Sequence, residues 1–307
     1  MAQPAATPTV AAPTAAAYGA GLSAYLIWGF IPLVFQALGS LGVGSWEILA
    51  HRTFWAIPAA ALFVWMAGQA PQALAVFRRP RVLALLALSA LLIAVNLLVY
   101  IWAVNNGRVL QTSLGYFINP LLSMAAGALL FRERLDRIAQ AAIALAAVGV
   151  AFQAIAIGGL PWVSLTLAAS FCGYGIVRKR VDADAQTGLL IECLLLGLPG
   201  AVYAAWLAGA GMDHFTQGAV PAAWLIFSGA ATAIPLVLFS WAARRLPLSA
   251  MGFMQFLAPS MTFVLGVIQG EALGWAKITA FAFIWAGAGV FAYGLWRAAR
   301  RLPARAL

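Results

Sequence analysis

Long apolar blocks separated by short connectors run through almost the whole chain. Ten of them approach or exceed the roughly 20 residues that an α-helix needs to cross the hydrocarbon of a bilayer. They cover residues 18–38, 47–68, 81–103, 109–131, 136–157, 161–178, 188–209, 221–243, 249–269 and 275–297. The connectors alternate in charge. Arg78, Arg79 and Arg81 mark the second, Arg132, Arg134 and Arg137 the fourth, Arg178, Lys179 and Arg180 the sixth, and Arg244 and Arg245 the eighth. Arg297, Arg300, Arg301 and Arg305 follow the last block, which leaves Arg52, Arg108 and Lys277 for the opposite side. Basic residues are retained on the cytoplasmic side of a membrane, so the pattern predicts an even number of spans with both termini cytoplasmic. The expected fold is an all-α integral membrane protein of ten transmembrane helices.

Composition removes the soluble alternatives. Hydrophobic residues make up 64% of the 307 and charged residues 8%, against about a quarter charged in soluble domains. The net charge of +10 would suggest nucleic acid in a soluble chain, but here it sits in short loops and forms no basic surface with interleaved aromatics. Nucleic acid is not an expected partner. Cys172 and Cys193 both lie inside apolar blocks and read as buried small residues, with neither disulfide nor metal spacing. Residues 1–17, rich in Ala, Pro and Thr, read as a disordered cytoplasmic tail, and 298–307 as a basic cytoplasmic tail.

The two halves repeat. Gly115-Tyr116, Pro120, Arg132-Glu133 and Gly149-Val150 are echoed at nearly equal spacing by Gly252-Phe253, Pro259, Gly270-Glu271 and Gly289-Val290. Weaker echoes pair Trp28-Gly29 with Tyr174-Gly175. Each half, 18–157 and 161–297, holds five spans. Five is odd, so the second unit lies upside down relative to the first, an arrangement that lets two similar halves exchange inward-open and outward-open shapes around a central cavity.

Proline within a span removes a backbone N–H and clashes with the carbonyl four residues earlier. Pro120 is thus expected to free the carbonyl of Tyr116, and Pro259 that of Gln255, at matched positions of the two halves. Asn119 adds an amide at the same depth, and Pro32 and Pro235 interrupt two further spans. Trp28, Asn96, Tyr116, Asn119, Tyr174 and Gln255 are the candidate solute contacts. A kink relieved by neighbours and ordinary aromatic packing are the alternatives for these residues.

Glu47 and His51 stand four apart at the external start of the second span and share a helical face, with Arg52 directly following. They are read either as an external, proton-responsive gate or as a dipole-favoured first turn capped by Ser45 with interfacial anchors behind it. Glu192, near the cytoplasmic end of its span, reads as a structural partner of the Arg178–Arg180 cluster. Asn105, Asn106 and Trp102 read as interfacial, and Asp213 with His214 as a solvated loop pair. No GxxxxGK[ST] loop, Ser/His/Asp set or HExxH motif is present, so no enzyme activity, cofactor or metal is expected.

These residues fall into runs: AYLIWGFIP at 24–32, EILAHR at 47–52, IWAVNNGRVLQTSLGYFINPL at 101–121, GYGIVRK at 173–179, QTGLLIE at 186–192, GFMQFLAPS at 252–260 and TAFAFIW at 279–285. In this order they resemble the RarD-type proteins of the EamA family, within the drug/metabolite transporter superfamily. The resemblance implies a ten-helix, inverted-repeat carrier of the bacterial inner membrane, with spans 1, 3, 4, 6, 8 and 9 around the cavity. The Ala/Pro-rich tail departs from it by lacking basic residues before the first span. A secondary permease, an exporter of a small amphipathic metabolite or drug-like solute, is the leading expectation, with proton coupling and a homodimer left open. A non-transporting membrane sensor or assembly partner is the alternative. Solute and membrane lipid are the expected partners.

Overall fold

The computed structural model describes residues 15–131, 137–156, 160–243, 246 and 254–301. Among them the chain forms helices only: α1 (Ala15–Ser40), α2 (Ser45–Met66), α3 (Ala70–Val76), α4 (Pro80–Asn105), α5 (Val109–Phe131), α6 (Arg137–Ala156), α7 (Trp162–Arg180), α8 (Ala185–Gly209), α9 (Ala219–Ala243), α10 (Leu257–Ile268) and α11 (Trp275–Arg301). Six of these, α1, α2, α4, α8, the 219–236 part of α9 and the 275–294 part of α11, are long and apolar enough to cross a bilayer. Their outer faces carry large apolar side chains such as Leu62, Leu91 and Val202. Water would penalise that exposure and hydrocarbon would not, so the molecule is a multi-span membrane protein.

Local signals set the helix ends. Pro80 starts α4 at a position where its missing N–H costs no hydrogen bond. Gly42, Gly68, Gly107, Gly211 and Gly270 take positive φ in the turns that follow helices, the conformation that glycine adopts without a Cβ penalty. Two details differ from the sequence expectation. Gly44, with extended φ and ψ, occupies the cap of α2 and Ser45 is already helical, so no side chain caps that end. The connector at 69–79 also folds into the short helix α3, whose Ala73 and Val76 are buried.

The helices pack across the two halves more than within them. α2 lies on α8, α6 on α11, and α5 on α10. α1 packs on α9 and α10, α7 on α4 and α5, α2 also on α9, and α4 also on α8. Glycines let these backbones meet. A Cβ on Gly197 of α8 would fall 3.0 Å from the Thr53 carbonyl of α2, one on Gly149 of α6 would fall 2.8 Å from the Ala280 carbonyl of α11, and one on Gly287 would fall 2.9 Å from that of Ala142. Such close approach maximises dispersion contact where lipid supplies no hydrophobic drive between helices. The main core joins Phe35 and Leu38 of α1, Ile48 of α2, Ile101 and Val104 of α4, Leu167 of α7 and Leu225 of α9.

Polar bonds sort the connectors to two ends. At one end Arg79 pairs with Asp182 at 3.1 Å, the Asp184 N–H donates to Gln72, and Thr187 donates to Gln69. At the other end Glu47 accepts from His214, Gln36 and Gln269 exchange two hydrogen bonds, and the Glu271 carboxylate receives the N–H groups of Val109 and Leu110.

Candidate functional site

Three polar groups lie along the molecule, and Arg52 separates from the residues next to it in sequence. Successive residues of a helix point about 100° apart, so His51 and Arg52 leave α2 toward different neighbours. His51 stacks on Phe215 with ring centroids 4.9 Å apart and planes 13° from parallel, and Trp55 stacks on the same ring at 6.0 Å. Glu47 does not bond His51. Its carboxylate accepts the His214 backbone N–H at 2.7 Å and meets His214 Nδ1 at 2.8 Å. Asp213 and His214 are therefore part of the packed structure and not a solvated pair. The Asp213 carboxylate accepts the Thr216 N–H and hydroxyl at 2.7 and 2.9 Å, and those bonds hold its pKa below the ordinary 3.8. Ala50, His51, Phe54, Trp55, Gly200 and Phe215 line a cleft of about 190 Å³, with His51 Nε2 and Trp55 Nε1 buried and without a hydrogen-bond partner.

Arg52 turns into the core, where it is 7% exposed. Its Nε donates to Thr232 Oγ1 at 2.6 Å, and the Thr232 hydroxyl donates in turn to the Ser228 carbonyl at 2.9 Å. The guanidinium carbon lies 5.2 Å from the centre of the Phe35 ring, a cation–π contact that offsets part of the cost of burying the charge. Tyr100 and Tyr116 lie within electrostatic reach of it, their rings edge to face at 5.4 Å. Tyr116 donates to Asn96 Oδ1 at 3.0 Å, while Asn96 Nδ2 donates to the Leu167 carbonyl at 2.8 Å and to Ser170 at 3.0 Å. Asn119, 2% exposed, keeps its Oδ1 without a partner. Residues of α1, α2, α4, α5, α7 and α9 thus meet in one buried polar centre.

Glu192 anchors the third group. It accepts from Ser89 at 2.5 Å and from the Tyr174 hydroxyl at 3.2 Å, and its Oε1 lies 3.6 Å from Arg178 Nη1. Gly188 makes room for that arginine: a Cβ there would fall 1.6 Å from Nη1. Glycine at this position, one turn before Glu192 on α8, is the sequence signal that would have revealed the cradle.

The remaining predicted residues are more dispersed. Trp28 packs between Tyr25 and Phe239, with ring centroids at 5.3 and 5.7 Å. Gln255 and Phe256 form a turn between helical Met254 and the start of α10. Pro259 lies in the first turn of α10, where its missing N–H leaves no intrahelical bond unmade, and its carbonyl accepts the Ser113 hydroxyl at 2.7 Å. The backbone at Pro120 continues α5, while its side chain lies outside the described residues, as do Glu133, Arg244, Arg245, Gly252 and Phe253. An apolar fissure of about 300 Å³ opens between Gly29 and Phe30 of α1 and Met261, Val264 and Ile268 of α10. Neither this fissure nor the outer cleft is lined by Trp28, Asn96, Tyr116, Asn119, Tyr174 or Gln255.

The EamA-like transporter family model matches residues 15–155. A Pseudomonas aeruginosa protein described as an uncharacterized transporter is 40% identical, with 93% of this chain and 96% of that one covered. The RarD protein of Streptomyces exfoliatus is 40% identical over 93% of this chain and 90% of its own. This chain belongs to the EamA family. The RarD protein of Escherichia coli K12 is 39% identical over 88% of this EamA chain and 91% of its own. One solved crystal structure shares the fold, with a TM-score of 0.59 at 19% identity over 89% of this chain and 96% of the other. Within this EamA-family molecule, the polar centre around Arg52, Asn96 and Tyr116 falls where α1, α2, α4, α5, α7 and α9 converge.

Proposed function

We propose that the chain is a secondary permease of the drug/metabolite transporter type, exporting a small amphipathic solute across the bacterial inner membrane by alternating access. The observation that carries this reading is the buried polar centre itself. Arg52 Nη1 is buried there without a hydrogen-bond partner, as is Asn119 Oδ1 about one turn along α5 from Tyr116. Unsatisfied polar atoms in an apolar interior cost free energy and persist where a ligand completes them.

An inverted repeat of ten spans is supported by the way the helices pair. Exchanging α1, α2, α4, α5 and α6 for α7, α8, α9, α10 and α11 turns the α1–α9 packing into α7–α4, α5–α7 into α10–α1, and α2–α9 into α8–α4. The pairs α2–α8, α5–α10 and α6–α11 map onto themselves. The reciprocal contacts of Gly149 with Ala280 and of Gly287 with Ala142 fit the same exchange, since Gly149 precedes Gly287 by the interval that separates Ala142 from Ala280 and Glu133 from Glu271. Rocking one five-helix unit against the other would then open the centre to either side. The arginine-rich connectors assign the end with Arg79 and Asp182 to the cytoplasm.

The test compares cells expressing the wild-type chain with cells expressing a Tyr116→Ala/Asn119→Ala variant at equal membrane levels, profiling solutes in cytoplasm and medium. The expected outcome is outward movement of at least one solute that falls roughly tenfold in the variant, the equivalent of one lost buried hydrogen bond. Identical profiles would favour a sensor or assembly partner over a permease.

A further inference from the structure

Among the described residues, Arg52 is the one Lys or Arg that is fully buried, and no described carboxylate faces its charge. Glu47 is held by His214, Asp213 by Thr216, Glu192 by Ser89, Tyr174 and Arg178, and Glu271 by the N–H groups at the start of α5. Asp182 pairs with Arg79 and Asp184 is exposed at the start of α8. The groups in contact with the guanidinium are neutral, the Thr232 hydroxyl and the Phe35 ring face, with the phenols of Tyr100 and Tyr116 and the Cys193 thiol within electrostatic reach. A buried cation left uncompensated is strongly unfavourable, and intramembrane charges persist where they meet a partner or a permeating species.

We propose that Arg52 recognises an organic monoanion, a carboxylate carried on an aromatic or apolar body. This inference rests on the permease reading and gives its solute a chemical class. One guanidinium neutralises one negative charge, whereas a dianion would bring a second charge into a centre with no second buried cation among the described residues. The planar carboxylate matches the arginine fork, and Nη1 is the donor free to take it. The edge-to-face rings of Phe35, Tyr100 and Tyr116 supply the apolar wall for the body of the solute. They must part to admit it, as alternating access requires.

The test uses the full chain purified in detergent, with thermal unfolding as the readout. The probes are hippurate, phenylpyruvate and indole-3-acetate, each set against its uncharged amide, with tryptamine as cation and benzyl phosphate as dianion. The carboxylates are expected to raise Tm at concentrations where the amides and benzyl phosphate do not. Arg52→Gln is expected to weaken the carboxylate response roughly 10–100-fold, in line with the loss of a charge-assisted hydrogen bond, and Arg52→Lys to keep part of it. Equal stabilisation by acid and amide, no stabilisation by any of the acids, or an undiminished response in Arg52→Gln overturns the proposal. Should Arg52→Gln fail to fold, the wild-type comparison of acid with amide decides alone. A Tyr116-dependent response to tryptamine or the amides, without one to the acids, would remove the anion assignment and leave the permease standing. No response to any probe, together with unchanged solute profiles in the Tyr116→Ala/Asn119→Ala variant, would remove both.

Discussion

Gly188 holds open the space that the Arg178 guanidinium fills, and that placement keeps a nearly buried Glu192 paired. A methyl group at 188 would force the flexible arginine head outward, toward the end of α7 where it is already partly exposed, and leave the carboxylate with Ser89 and Tyr174 alone. Removing one partner of a buried ion pair costs about 3–5 kcal/mol. Gly188→Ala should therefore lower stability by an amount of that order, measured by thermal unfolding in detergent. Adding Gly188→Ala to Arg178→Ala should cost little more than Arg178→Ala alone, because both act through the same pair. Additive losses would show that Gly188 matters for another reason. The sequence reading placed Glu192 near the Arg178–Arg180 cluster, which charge and spacing suffice to suggest. Ser89 carries no signal in the sequence until α4 and α8 lie side by side, whereas Gly188, one turn before Glu192, is a signal for the cradle that charge and spacing alone pass over.

At the scale of helices, apolar block length was a reliable guide: the span at 109–131 coincides with α5, and most other boundaries shift by a few residues. The misses have local causes. Residues 69–79 read as a basic loop, yet Ala73 and Val76 find a hydrophobic seat and fold the segment as α3. Pro259, expected to free the carbonyl of Gln255, lies in the first turn of α10, directly after the turn at Gln255 and Phe256. Glu271 entered the sequence reading only as a repeat marker, and it caps α5 from the connector between α10 and α11. Burial raises its pKa above the ordinary 4.5, with the Leu110 and Val109 N–H groups pulling against that shift. Glu271→Ala should destabilise by about 1 kcal/mol, as loss of a helix cap does, and hydrogen exchange should accelerate at residues 109–111. Unchanged protection there would show that the cap contributes nothing.

For the molecule as a whole, sidedness is the testable quantity. Cys172 and Cys193 are both buried, so a cysteine introduced at an exposed position reports on its own surroundings. With a membrane-impermeant maleimide on intact cells, Gln217→Cys in the loop after α8 should label, and Leu74→Cys on α3 should label only after the membrane is opened. The reverse pattern would invert the molecule in the membrane. Read alone, the sequence is enough to establish a membrane protein and the approximate extent of its helices, and to suggest an internal repeat. Hydrophobic length, proline and glycine placement and arginine distribution are all local or additive properties of a chain. It could not separate Arg52 from Glu47 and His51, which it grouped by adjacency. Tertiary packing decided that, since a rotation of about 100° between neighbours on α2 sends His51 to Phe215 and Arg52 to Thr232 on α9. Which side chains meet across such distances along the chain is set by how whole helices dock. That docking, more than any motif, buries the Arg52 cation inside the bundle.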